Sequence, residues 1–207
     1  LMGMLDLLRG TLADVTQRSY ADLAYDSAEG LLQLLNDLLD LNKIEAGQLK
    51  LDDGEFDLRK TAGDVCNLYA PAIDKKGVRF AFEVAADAPN ALRGDGVRVR
   101  QVMFNLLGNA VKFTEAGSIA FRVLRKGADR LRLEVTDTGT GIPLDKQSQL
   151  FRPFVQADKS ATRRAGGTGL GLAIAAELVR AHGGEIRLVP GTIGATFSIT
   201  IPDRAVD

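Results

Sequence analysis

Histidine and cysteine are nearly missing from these 207 residues, at one each. The lone cysteine, Cys66, excludes an internal disulfide and provides no metal cluster, which fits a small buried thiol in a reducing compartment. An excess of charge of one sign is missing too. With 26 Lys and Arg against 27 Asp and Glu, the net charge is -1. No general electrostatic grip on nucleic acid or on an anionic membrane is encoded, and any bound anion must be held locally. No apolar run reaches the roughly 18 to 20 residues of a membrane span, because Gln33, Asn36, Asp37 and Asp40 interrupt the leucine-rich stretch near the start. The reading is a soluble, cytoplasmic chain.

What is present is enough apolar material, 45% of residues, for one core, or for a core with a short helical appendage. Residues 1–12 read as the tail of a helix that begins before the chain does, since no capping residue precedes them. From about 16 to 45 the pattern is helical, with Ala24, Ala28, Leu31, Leu35 and Leu38 at alternating spacings of four and three. Leu32 and Leu39 widen that stripe to the width of a four-helix bundle, which two helices per chain would complete by pairing with a second copy. The same periodicity also fits a hairpin packed on its own globular domain. After Ala46 and Gly47 the period becomes two, with Leu49 and Leu51 on a short strand, and the boundary is placed between a 1–46 hairpin and a 47–207 domain. Within that domain the pattern predicts a helix over 58–75 and a strand over 78–84 with Val78, Phe80, Phe82 and Val84 on one face. A helix over 97–113, strands over 118–125 and 131–137, a long mobile loop over 143–167, a helix over 168–181 and strands over 186–189 and 195–201 follow. The fold class is α+β.

Three segments carry chemistry. Asn105, Asn109 and Lys112 share one face of the 97–113 helix by spacings of four and three, where two carboxamide oxygens and an ammonium suit a hydrated Mg²⁺ with attached phosphates. The wet side of any amphipathic helix looks the same. Asp137 ends a strand and is followed by Gly139, Gly141 and Ile142. Its carboxylate can accept from an exocyclic amine, selecting adenine over guanine, and glycines let the backbone pass close to a ligand; an ordinary Asp-rich turn is the plain alternative. Gly166, Gly167, Thr168, Gly169, Leu170 and Gly171 run straight into a helix, whose first N–H groups converge on a phosphate, although glycine-rich stretches are common without one.

In this order the segments resemble the boxes of sensor histidine kinases: Asn-Leu-Leu-Gly-Asn-Ala-Val-Lys-Phe-Thr the N box, Asp-Thr-Gly-Thr-Gly-Ile the G1 box, Leu150-Phe151-Arg152-Pro153-Phe154 the F box and Gly-Gly-Thr-Gly-Leu-Gly-Leu the G2 box. Lys43-Ile44-Glu45-Ala46-Gly47 resembles the family's junction between hairpin and catalytic domain, and the detail is nearest to hybrid kinases. The resemblance implies a Bergerat-type (GHKL) α/β sandwich with a mixed sheet behind a helical hairpin, and Mg-ATP as ligand. Asn109 and Asn105 would hold Mg²⁺, Asp137 would read the adenine and Lys112 would meet phosphate oxygens. Gly139, Gly141 and Ile142 would line the adenine pocket, and Gly167, Thr168, Gly169, Leu170 and Gly171 the phosphate end. Residues 143–167 would be the ATP lid, anchored by Phe151 and Phe154, with Arg163, or else Lys159 or Arg164, reaching the γ-phosphate. The implied partners are a second copy through the hairpin and a response-regulator receiver domain, with no nucleic acid, and a membrane only through other parts of a parent protein.

One departure stands out. The family's acceptor histidine lies in an H box that would fall about two to three turns upstream of Leu1 on a continuous helix, and the histidine present, His182, stands in an Ala-His-Gly-Gly turn and reads as structural. The chain as given is expected to bind nucleotide and to phosphorylate a supplied hairpin, without labelling itself. Two alternatives remain. A GHKL-type ATPase would need a glutamate base where Asn105 stands, and a nucleotide-binding dimerisation scaffold without kinase activity needs no acceptor. Phosphatase activity toward a response regulator is read in this family from residues beside the missing histidine.

Overall fold

The computed structural model describes residues 2–11, 14–155, 168–191 and 193–206. The chain divides into two compact units, Leu1–Leu49 and Lys50–Asp207.

The first unit is a pair of helices, α1 (Met2–Thr11) packed against α2 (Val15–Glu45). Asp14 caps α2, its Oδ1 accepting from the N–H of Thr16 at 2.8 Å and of Gln17 at 2.9 Å. This satisfies two of the donors that a helix start leaves unpaired. The leucines at alternating spacing, Leu31, Leu35 and Leu38, are 61%, 51% and 44% exposed.

The second unit builds a helical layer on one face of a sheet. In chain order it holds β1 (Gly54–Asp57), α3 (Leu58–Lys76), β2 (Arg79–Val84), β3 (Ala91–Gly94) and α4 (Gly96–Phe113). There follow β4 (Ser118–Arg125), β5 (Arg130–Asp137), α5 (Leu144–Gln147), α6 (Gly171–Ala181), β6 (Glu185–Val189) and β7 (Ala195–Pro202). The main sheet has the order β2-β4-β5-β7-β6; β2 runs parallel to β4 and the other pairs are antiparallel, so the sheet is mixed. Strict alternation decides which face is covered. Ile119, Phe121 and Val123 of β4, Leu131, Leu133 and Val135 of β5, and Phe197, Ile199 and Ile201 of β7 are buried. Leu58, Val65 and Ile73 of α3, Met103, Leu106 and Leu107 of α4, and Ile174 and Leu178 of α6 complete the core. Each such side chain contributes about 1.5–3 kcal/mol on burial.

Capping sets the helix positions. Asp57 caps α3 through Lys60 N–H at 2.8 Å, and Gly77 closes it in the left-handed conformation. Asp95 caps α4 through Arg98 N–H at 3.0 Å, and its other oxygen accepts from Asp52 N–H at 3.1 Å. At the far end of α4, Lys76 donates to the carbonyls of Val111 and Thr114 at 2.9 and 3.2 Å.

Three expectations shift. No strand forms at Leu49 and Leu51; the strand is β1, because a strand needs a partner, and β3, which the sequence pattern did not suggest, pairs in register with Gly54 to Asp57. Phe82 shares one face of β2 with Phe80 and Val84, as expected; it tilts onto Phe121 at 5.7 Å and stays 39% exposed because β2 is an edge strand. The stretch after Pro143 is not structureless throughout, since α5 and a series of turns occupy 144–154. The last helix starts at Gly171 rather than near 168. No helix among the described residues is long and apolar enough to cross a membrane.

Candidate functional site

The helix α4 brings Asn105, Asn109 and Lys112 to one half-buried face while Leu106, Leu107, Ala110 and Val111 turn into the core. Asn105 Nδ2 donates to Gly171 O at 3.0 Å, joining the middle of α4 to the start of α6. A carbonyl can only accept, so the nitrogen must face it, and Oδ1 is left without a partner among the described residues. The Asn109 carboxamide makes no hydrogen bond among the described residues. Lys112 Nζ lies 5.1 Å from the centroid of the Phe113 ring, and burial pulls its ammonium below the ordinary lysine range.

The end of β5 meets the end of α4 through glycine. A Cβ on Gly139 would stand 2.3 Å from Phe113 O, so only glycine allows this approach, and Thr140 N–H donates to the same carbonyl at 3.3 Å. Asp137, 6% exposed, is held there by one oxygen: Oδ1 accepts from Gly139 N–H at 2.8 Å and from Ala195 N–H at 3.3 Å, while Oδ2 has no partner among the described residues. Burial raises the Asp137 carboxyl above its usual range, opposed by those two backbone donors. Gly194 closes the other side of this floor, at φ 67°, and a Cβ there would lie 1.9 Å from Asp137 O. Gly141, at φ 69°, passes 3.1 Å from Gly194 O by the same measure.

The third segment arrives at α6. Thr168 Oγ1 accepts from Leu170 N–H at 3.0 Å, and α6 begins with no side-chain cap hydrogen bond. Among the described residues no side-chain cap reaches its first turn, which lies next to Asn105. Leu170 is fully buried and belongs to the core. Phe151 packs edge-on against Phe197, with centroids 6.4 Å apart, and anchors its segment to the sheet. Phe154 does not act as an anchor. Its ring is 64% exposed, its backbone is left-handed at φ 63°, and its N–H donates to Gly169 O at 3.0 Å, drawing the two sides of the loop together. Ile142 is half-buried and its carbonyl accepts from Gln147 Nε2 at 3.0 Å. Arg163 and Gly167, with Lys159, Arg164 and Gly166, lie outside the described residues.

Asn105 and Asp137 are thus joined, through Gly171 and through Phe113, into one constellation with Gly139, Gly141, Gly169 and the start of α6. Sequence reasoning missed Gly194, a single glycine in a turn, and Phe113, an aromatic at a helix end. Among the described residues no cluster of three His, Cys, Asp or Glu side chains could hold a metal alone. A cation here needs few protein oxygens and many others, which fits Mg²⁺ carrying water and phosphate and two carboxamide oxygens.

The family described as histidine kinase-, DNA gyrase B-, and HSP90-like ATPase matches residues 94–205, and the His Kinase A (phospho-acceptor) domain matches residues 1–47. The chain is 42% identical over 191 residues to the sensory/regulatory protein RpfC of Xanthomonas campestris pv. campestris, covering 90% of this chain and 26% of that protein. It is 41% identical over 206 residues to the circadian input-output histidine kinase CikA of Synechococcus elongatus, covering 97% and 27%. A solved structure of full-length ShkA in complex with AMPPNP superposes with a TM-score of 0.81 at 34% identity, covering 99% of this chain and 42% of that one. The chain spans about a quarter of the length of these curated relatives.

Proposed function

The chain belongs to the histidine kinase-, DNA gyrase B- and HSP90-like ATPases and carries a His Kinase A domain ahead of that fold, and from this premise we propose that it binds Mg-ATP and passes the γ-phosphoryl group to a histidine in the helical hairpin of a two-component sensor kinase. One observation carries the reading. Asp137 is a buried carboxylate with one oxygen fixed by two backbone donors and the other left open, which is an acceptor for the exocyclic amine of adenine.

Each remaining role follows from the chemistry of a side chain. Asn109 and Asn105 would offer Oδ1 to Mg²⁺, Lys112 and Arg163 would meet phosphate oxygens, and the uncapped start of α6 would face phosphate through its backbone. Mg²⁺, when bound, neutralises phosphate charge. The chain's own part is to orient: Asn105 is locked by Gly171, and the turn at Gly139 is fixed against α4. A carboxamide at Asn105 cannot take a proton from water, so transfer to a histidine is favoured over hydrolysis. We assign the hairpin, residues 1–46, to pairing with a second copy, and a receiver domain as the next acceptor. The exposed Leu31, Leu35 and Leu38 support the first assignment. The place of action is the cytoplasm.

The test is Mg²⁺-dependent ATP binding by the chain, followed by a separate hairpin that carries the family's histidine. Binding with phosphate moved to that histidine supports the reading. Binding without transfer would leave a regulatory pocket, and no binding would make the chain a scaffold.

A further inference from the structure

The strand β2 is an edge of the main sheet. Its register with β4 runs unbroken from Arg79 opposite Ser118 to Val84 opposite Val123, so no bulge twists it away. It holds no proline, and its two charged residues, Arg79 and Glu83, are of opposite sign, so they repel a like-charged strand less than they can pair with a second copy of this one. Arg79 N–H donates to Gly117 O and Ala85 N–H to Val123 O, which turns the odd-numbered backbone groups toward β4. Alternation then points the N–H and C=O of Phe80 and Phe82 away from the sheet, and neither has a backbone partner outside the strand among the described residues. Ala81 is exposed, and Phe82 is 39% exposed.

The side chains along this edge read the same in both directions. About Ala81, an antiparallel copy of the strand sets Arg79 opposite Glu83, Phe80 opposite Phe82, and Ala81 opposite itself. Arg79 and Glu83 share the outer face of the sheet, while Phe80 and Phe82 share the face that bears the helices, since they sit beside Ile119 and Phe121. Arg79 is exposed and makes no ion pair among the described residues. Glu83 meets Arg122 at 3.5 Å but keeps 64% of its side chain exposed, leaving room for a second cation.

We propose that the β2 edge is a pairing surface for β2 of a second copy of this chain, in an antiparallel register centred on Ala81 that forms two Arg79–Glu83 pairs and joins the two sheets. Such an interface is isologous, the same patch on both partners. Phe80 and Phe82 of opposite strands become hydrogen-bonded pairs, with four backbone bonds in all, and Ala81 faces its counterpart as a non-hydrogen-bonded pair with Cα atoms about 4.5 Å apart. Five residues a side bury less than the roughly 1,200 Å² of a stable interface, so the contact is weak and concentration-dependent. It involves neither the nucleotide site nor the leucines of α2.

Cysteine cross-linking of the full chain tests it. The native Cys66 is buried and its thiol is pushed up to about 12, so it stays silent near neutral pH. Under a glutathione redox buffer, Ala81→Cys is expected to form a disulfide dimer about tenfold faster than Glu83→Cys, because residues at 83 stand about 13 Å apart along the strands in this register. In the Ala81→Cys background, Arg79→Glu should slow the cross-link and the further change Glu83→Arg should restore it. Equal rates at the two positions, no cross-link at Ala81, or failure of the double charge exchange to restore the rate each overturns the proposal.

Discussion

Replacing Asp137 by asparagine separates recognition of a ligand from support of the fold. The substituted carboxamide keeps an oxygen where Oδ1 accepts from Gly139 and Ala195, so the local turn survives. The change falls on the other atom, where an acceptor without a partner becomes an NH₂ donor. A bound adenine then loses a hydrogen bond to a charged group, about 1.5–3 kcal/mol, and sets donor against donor, about 1–3 kcal/mol more. At about 1.4 kcal/mol per decade, the affinity falls roughly sixtyfold to twenty-thousandfold. Stability moves the other way. Because burial raises the carboxyl in the folded state, the folded protein holds the proton more tightly than the unfolded chain, and stability is lost as pH rises through the window from 3.8 to the raised folded value. Asparagine has no such loss, so the nucleotide-free variant should melt at or above the wild-type temperature near neutral pH. Titration calorimetry with Mg-ATP and a melt without nucleotide read both effects. An affinity within threefold of wild type would refute the assignment of Asp137 to adenine, and a melting point several degrees lower would refute the stability argument.

Asn109→Ala removes a carboxamide that makes no hydrogen bond among the described residues; nucleotide-free stability should stay within about 0.5 kcal/mol, while calorimetry shows weaker Mg²⁺-dependent ATP binding. Gly194→Ala places a methyl 1.9 Å from Asp137 O at a left-handed φ. It should cost at least about 2 kcal/mol in urea unfolding together with nucleotide affinity. Arg125→Ala strips the 2.6 Å partner from Asp203, whose side chain is 2% exposed. Chemical denaturation should show a loss of about 3 kcal/mol that Asp203→Asn in the same chain partly recovers. His182→Gln should leave phosphate transfer to a supplied hairpin unchanged, and a loss of transfer without a loss of stability would give that histidine a chemical role.

Much of this architecture was legible because the chain repeats its instructions locally. β4 and β5 alternate strictly, and α4 carries both an apolar stripe and an aspartate cap, so their spans were readable to within a residue. Asp137 and its glycines stood out only as one of several segments in a fixed order, since an acidic residue before two glycines also fits an ordinary turn. What stayed hidden depends on distance. Gly194 matters only because the β6–β7 turn comes back over Asp137, and β3 exists only through pairing with β1 on one side and a bridge to Ala205 on the other. Four-residue strands give too short a pattern to read. Phe154 misled for another reason: a phenylalanine is expected inside, and a left-handed backbone turned this one out.

The surroundings of its two ring nitrogens decide what His182 does. Its Nδ1 lies 2.7 Å from Leu178 O, a carbonyl that can only accept, so Nδ1 carries a proton and Nε2 is the one place for a ring lone pair. That nitrogen is buried without a partner among the described residues, and the ring borders a cavity of about 10 Å³ lined by Val99, Val102, Leu133, Val179, Ile199 and Ile201. The ring also packs against Gly94, where a Cβ would meet it at 3.7 Å. A phosphoryl group must reach a nitrogen lone pair, and it would carry its charge into an apolar space with room for about one water molecule. His182 is therefore a strut between the end of α6 and β3. Under the proposed function His182 is therefore not the acceptor, which makes a hairpin supplied in trans the decisive reagent.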